Sequence, residues 1–122
     1  MTLEQRTTAF RLLLAAAVVF AVTMALLPKP PHLPIDRFGD KFGHMLAFAT
    51  MAALAAPAFP HEPLFRIGER LSFLGALIEV LQAIPSLHRD CDIKDWIVDT
   101  IALSVVLLTY AVVRRRGASA AT

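Results

Sequence analysis

Apolar residues in this chain gather into four long runs, with most polar residues between them. The runs predict helices at about residues 10–27, 42–59, 67–84 and 96–113. Helix-stopping or charged residues bound each one. Pro28, Pro30, Pro31 and Pro34 follow the first, Asp40 and Lys41 open the second, and Pro57, Pro60 and Pro63 end it. Pro85 stops the third, and Arg114, Arg115 and Arg116 close the fourth. A soluble four-helix bundle needs a polar stripe on every helix, and neither 12–27 nor 100–113 provides one. The expected fold is therefore all-α: an integral membrane four-helix bundle, with residues 1–122 forming a single domain. At 1.5 Å per residue the run 67–84 reaches about 27 Å, enough for a typical hydrocarbon core with little tilt.

The first run follows Arg6 and Arg11, as the core of a secretory signal would. Its one small-x-small cleavage candidate, Thr23-Met24-Ala25, lies inside the apolar run, and further hydrophobic segments follow, so an uncleaved helix is expected. In the second run Ala49 and Ala53, and likewise Ala52 and Ala56, stand one helical turn apart. Such pairs let a neighbouring helix approach closely, and equally they reflect helix propensity.

Composition agrees with the pattern: 57% of residues are hydrophobic and 18% charged, and the mean hydropathy is +0.60. The net charge of +2 does not point to nucleic acid, because the basic residues flank apolar runs instead of forming a stripe. They set an orientation instead. With the N-terminus inside, Arg6, Arg11, Arg66, Arg70 and Arg114 to Arg116 are cytoplasmic, against Lys29, Arg37, Lys41, Arg89 and Lys94 outside. Both termini are then cytoplasmic, and Trp96 and Tyr110 are expected at opposite interfaces. A single cysteine, Cys91, excludes an intramolecular disulfide.

Polar residues inside apolar runs are the candidate chemistry. Glu79 and Gln82, three apart, share one face of the third helix, and an ionised carboxylate near a bilayer centre costs about 2.5 to 3.5 kcal/mol. Asp92, Asp95 and Asp99 line one face at the start of the fourth helix. The helix dipole and capping account for the first of these, whereas Asp99 lies beyond capping range. Asp40, Lys41 and His44 gather on one face at the head of the second helix. Antiparallel packing brings the three faces to one depth near the outer membrane surface, and Arg89, on the loop between the third and fourth helices, supplies a countercharge. Arg89, Arg37, His32 and His88 taken singly read as solvated loop residues.

The series Asp40-Lys41-Phe42-Gly43-His44, Glu79-Val80-Leu81-Gln82, Arg89, Asp92-Ile93-Lys94-Asp95 and Asp99-Thr100 resembles the VanZ-like family of small membrane proteins. The pattern there is D-K-x-x-H, E-x-x-Q, an Arg about seven residues on, D-x-x-D and N-T-x-G. The likeness runs from Asp40 to Ala102, about half the chain, and departs at two places: Asp99 stands where the family usually has Asn, and Ala102 where it usually has Gly. The resemblance implies a multi-pass protein of the bacterial inner membrane, in a family whose namesake is associated with low-level teicoplanin resistance. It names no reaction.

Four classes of function fit these residues. The leading expectation is a cell-envelope protein whose outward polar site binds an envelope or lipid-linked ligand, or an amphiphilic antibiotic, and alters glycopeptide susceptibility. Arg89 and Lys41 would contact anionic groups, while Glu79, Gln82, Asp95 and Asp99 accept hydrogen bonds. No cofactor is required. A membrane enzyme acting on a lipid-linked phosphate or sugar would instead use His44 as acid or base, with the carboxylates on a divalent cation. Magnesium or calcium would suit the oxygen ligands better than zinc, but no nucleophile motif, HExxH or phosphate loop accompanies them. An ion path lacks polar residues in the inner halves, where the fourth helix offers Ser104 and Thr109 alone. An accessory membrane subunit is the fourth class.

Overall fold

In a computed structural model of the chain, residues 1–26, 40–84 and 93–121 are described, with side chains from residue 43 in the second segment and to residue 117 in the third. These residues form four helices and no strand: α1 (Leu3–Leu26), α2 (Asp40–Ala58), α3 (Leu64–Gln82) and α4 (Ile93–Ala121). The all-α expectation holds, with shifted boundaries. Glu4 lies in the first turn of α1, which begins well before the apolar run. α2 runs over Pro57 and ends at Ala58; a proline in a final turn forfeits one intrahelical bond, to Ala53, while Phe59 N still reaches Ala55 O at 3.0 Å. α4 continues through Arg114 to Arg116 to Ala121, since arginine and alanine are good helix formers and outweigh the single Gly117.

Two helices, Leu3–Leu26 and Ile93–Gly117, are long and apolar enough to cross a membrane, and Gly43–Ala58 is a shorter apolar helix. α3 does not reach that standard, because Arg66, Glu69, Arg70 and Glu79 fall within its 19 residues.

Cross-helix contacts fix an up-and-down arrangement. Arg11 Nε, early in α1, donates to Ala58 O at the end of α2 at 2.9 Å, and its guanidinium lies 4.9 Å from the Phe59 ring centre. Gln82 at the end of α3 meets Ala25 at the end of α1. α3 and α4 are antiparallel: a Cβ on Gly68 would sit 3.2 Å from Leu107, and one on Gly75 would sit 3.3 Å from both Phe48 and Trp96. Gly75 therefore lets α2, α3 and α4 close on one layer. The core joins Phe48, Met51, Ala52, Ala55 and Ala56 of α2 to Ile67, Leu71 and Ile78 of α3 and Leu103 and Leu107 of α4, with Ala25 from α1. Of the alanine pairs, Ala52 and Ala56 are buried, whereas Ala53 is exposed.

Candidate functional site

Three polar side chains are buried in this apolar interior: Glu79 (8% exposed), Gln82 (2%) and Asp99 (4%). All three come from the sequence pattern. Asp99 lies within Coulombic reach of Asp95 and Glu79, so three carboxylates from α3 and α4 share one neighbourhood. Helix geometry explains the meeting. Side chains lean toward the N-terminus of their own helix, so in this antiparallel pair Asp99 tilts toward the end where α4 begins while Glu79 tilts away from that end, toward Asp99.

Gln82 behaves differently from a member of that cluster. Its Nε2 donates to Ala25 O at 2.9 Å, so its amide ties α3 to the last turn of α1. Its Oε1 is buried and has no hydrogen-bond partner among the described residues, and neither has Asp99 Oδ1. Glu79, Asp95 and Lys94 each take part in a further interaction. The exposed groups of the neighbourhood are cationic at Lys94, while Asp95 and His44 are half-buried. Among the described residues His44 makes no hydrogen bond or ion pair with the carboxylates. Asp40 and Lys41 occupy the first turn of α2 ahead of the described side chains, and Arg89 and Asp92 lie outside the described residues. No group of three His, Cys, Asp or Glu among the described residues is arranged to hold a metal ion. The buried atoms of Gln82 and Asp99 left without a partner are both oxygens, each able to accept a hydrogen bond.

Two features escaped sequence reasoning. Trp96 Nε1 donates to Ser72 O at 2.9 Å, in the space that Gly75 leaves one turn away on α3. Beside it, Ser72 Oγ and Thr100 Oγ1 are 3.0 Å apart, adding a hydroxyl pair between α3 and α4. The signal for both was a serine three residues before a glycine on α3, opposite Trp96 and Thr100, and it becomes legible only once the offset between the helices is known. Ser104 and Thr109 instead bond to carbonyls one turn back on their own helix, at 2.7 and 2.8 Å. No family model, no curated protein and no solved structure matches the chain.

Proposed function

We propose that this chain is a multi-pass protein of the bacterial inner membrane, VanZ-like in character, with both termini cytoplasmic. Its polar site, facing outward, binds an envelope or lipid-linked ligand and so affects susceptibility to glycopeptides. One observation carries the membrane part: burial is inverted. Glu79, Gln82 and Asp99 are inside, while Phe20, Phe73, Ile101, Val105 and Leu108 are 55% to 70% exposed. That surface suits hydrocarbon better than water, which supports the membrane reading. In the apolar windows of α1 and α4 only 6% and 17% of residues are buried, far from the pattern of soluble core helices. Contacts from Arg11 and Gln82 hold α1 at both ends, which supports a retained helix over a cleaved leader.

The ligand part rests on the cluster of Asp95, Asp99 and Glu79 between α3 and α4, with Arg89 and Lys41 as the cations expected beside it. The single Cys91, just before α4, provides the test of orientation. A membrane-impermeant maleimide should label it in intact spheroplasts. Labelling that appears only after permeabilisation refutes the orientation. Replacing Glu79 or Arg89 by alanine should shift teicoplanin susceptibility in the producing strain; unchanged susceptibility and lipid composition in both variants and in the deletion remove the ligand reading.

A further inference from the structure

α3 turns one face to the core and leaves the other uncovered. Ile67, Leu71, Gly75 and Ile78 are buried, whereas Phe65, Phe73 and Val80 are 66% to 81% exposed, and Arg66, Glu69 and Arg70 are exposed beside them. Arg66 reaches Glu62, one turn back, at 3.9 Å. Glu69 and Arg70 make no side-chain hydrogen bond or ion pair among the described residues.

Their depth makes that exposure costly. Ser72 Oγ lies 3.0 Å from Thr100 Oγ1, and a Cβ on Gly68 would meet Leu103 and Leu107, so in this antiparallel pair Arg70 stands level with Ala102 and Glu69 with Leu103. Both levels fall in the middle of the apolar span Ile93–Gly117 of α4. From Ala102 it is about 18 Å along the helix to Arg114 and about 14 Å to Ile93. An arginine stem cannot snorkel over either distance. The two residues therefore lie well inside the cytoplasmic edge that their place near the start of α3 suggests. Hydrocarbon does not accept a bare carboxylate or guanidinium, so this face needs a cover that carries both signs of charge at the same depth.

A second copy of the chain meets that need. A two-fold axis along the membrane normal keeps both copies at one depth, so Glu69 of each copy faces Arg70 of the other, and one self-complementary face satisfies all four charges. Arg66, Glu69, Phe73, Ala76 and Val80 recur at spacings of three and four, the seam of a left-handed parallel helix pair. A lipid head group does not reach this depth.

We propose that the outer face of α3 is the interface of a parallel homodimer, closed by reciprocal Glu69–Arg70 ion pairs. This rests on the membrane reading above and adds a partner to it, since in water both charges would be solvated and the face would need no cover.

Charge reversal in the full chain tests it, with two differently tagged copies co-expressed and their pairing read by co-purification and by native mass spectrometry in maltoside. The native chain should pair with itself. Glu69→Arg and Arg70→Glu should each reduce self-pairing about tenfold or more, the scale of stranding a charge in an interface. The two reversed chains should pair with each other, because every facing charge is then opposite, and the double reversal should restore self-pairing. A misfolded variant would not regain a partner in this way. In a Cys91→Ser background, Phe73→Cys should cross-link to its own copy in oxidised membranes, and Ala53→Cys, on the exposed side of α2, should not. If the reversed chains do not pair with each other, the ion pairs are refuted, and if Phe73→Cys does not cross-link, the interface is refuted. A dimer that ignores both reversals, or a different protein held in place of the second copy and lost with Glu69→Arg, also overturns the inference. Extraction of the native chain by carbonate overturns the membrane reading and this inference together; a carbonate-resistant monomer overturns this inference alone.

Discussion

Replacing Gln82 by alanine removes the amide that donates from Nε2 to Ala25 O at 2.9 Å. Interhelical side-chain hydrogen bonds in membrane proteins average about 0.6 kcal/mol and reach about 1.7. This one belongs at the upper end or above. Ala25 is 3% exposed and lies in the last turn of α1, where carbonyls have no partner within the helix, so loss of Gln82 strands a buried acceptor at a cost of about 1–3 kcal/mol. Gln82 is itself 2% exposed, and truncation leaves a cavity that adds about 1–2 kcal/mol. The expected total is about 2–4 kcal/mol. Gln82→Met keeps the volume but removes the unpartnered Oε1 along with the donor, so it should recover the cavity contribution and fall between the native chain and Gln82→Ala. Equilibrium unfolding in mixed dodecyl sulfate and maltoside micelles measures both, read through the fluorescence of Trp96, the one tryptophan in the chain. If Gln82→Ala is as stable as the native chain, the Ala25 contact carries no energy, and the account of how α1 is held is wrong.

Arg11→Leu removes both the bond to Ala58 O and the stacking on Phe59, and should cost about 1–2 kcal/mol in the same unfolding measurement. Asp99→Asn relieves repulsion from Asp95 and Glu79 in a buried neighbourhood and should raise stability by about 1 kcal/mol; a loss of that size would mean its charge is satisfied within the protein. Gly75→Ala brings a Cβ to 3.3 Å from Phe48 and Trp96, and its helix gain of about 1 kcal/mol offsets the crowding, so thermal stability should barely change. Gly75→Val forces the layer apart and should destabilise by about 1–3 kcal/mol with a shift in Trp96 emission. Trp96→Phe loses the donor to Ser72 O and should cost about 1 kcal/mol, with the Ser72 to Thr100 pair weakening alongside.

The sequence by itself determined how many helices form and roughly where, because prolines and charges punctuate runs with no polar stripe. It also singled out Glu79, Gln82 and Asp99 as inward-facing: an apolar surround penalises each alone, and burial of all three follows. What only the tertiary structure decided is which residues meet across helices. Gln82, paired with Glu79 by spacing, sends its amide to α1 instead, while Trp96, suited by composition to an interface, donates into the middle of α3 where Gly75 and Ser72 receive it. Periodicity fixes the face a residue occupies on its own helix, whereas its partner depends on the rotation and axial offset between helices. Those are set jointly by every contact in the bundle, and a single missing Cβ, as at Gly75, can shift them.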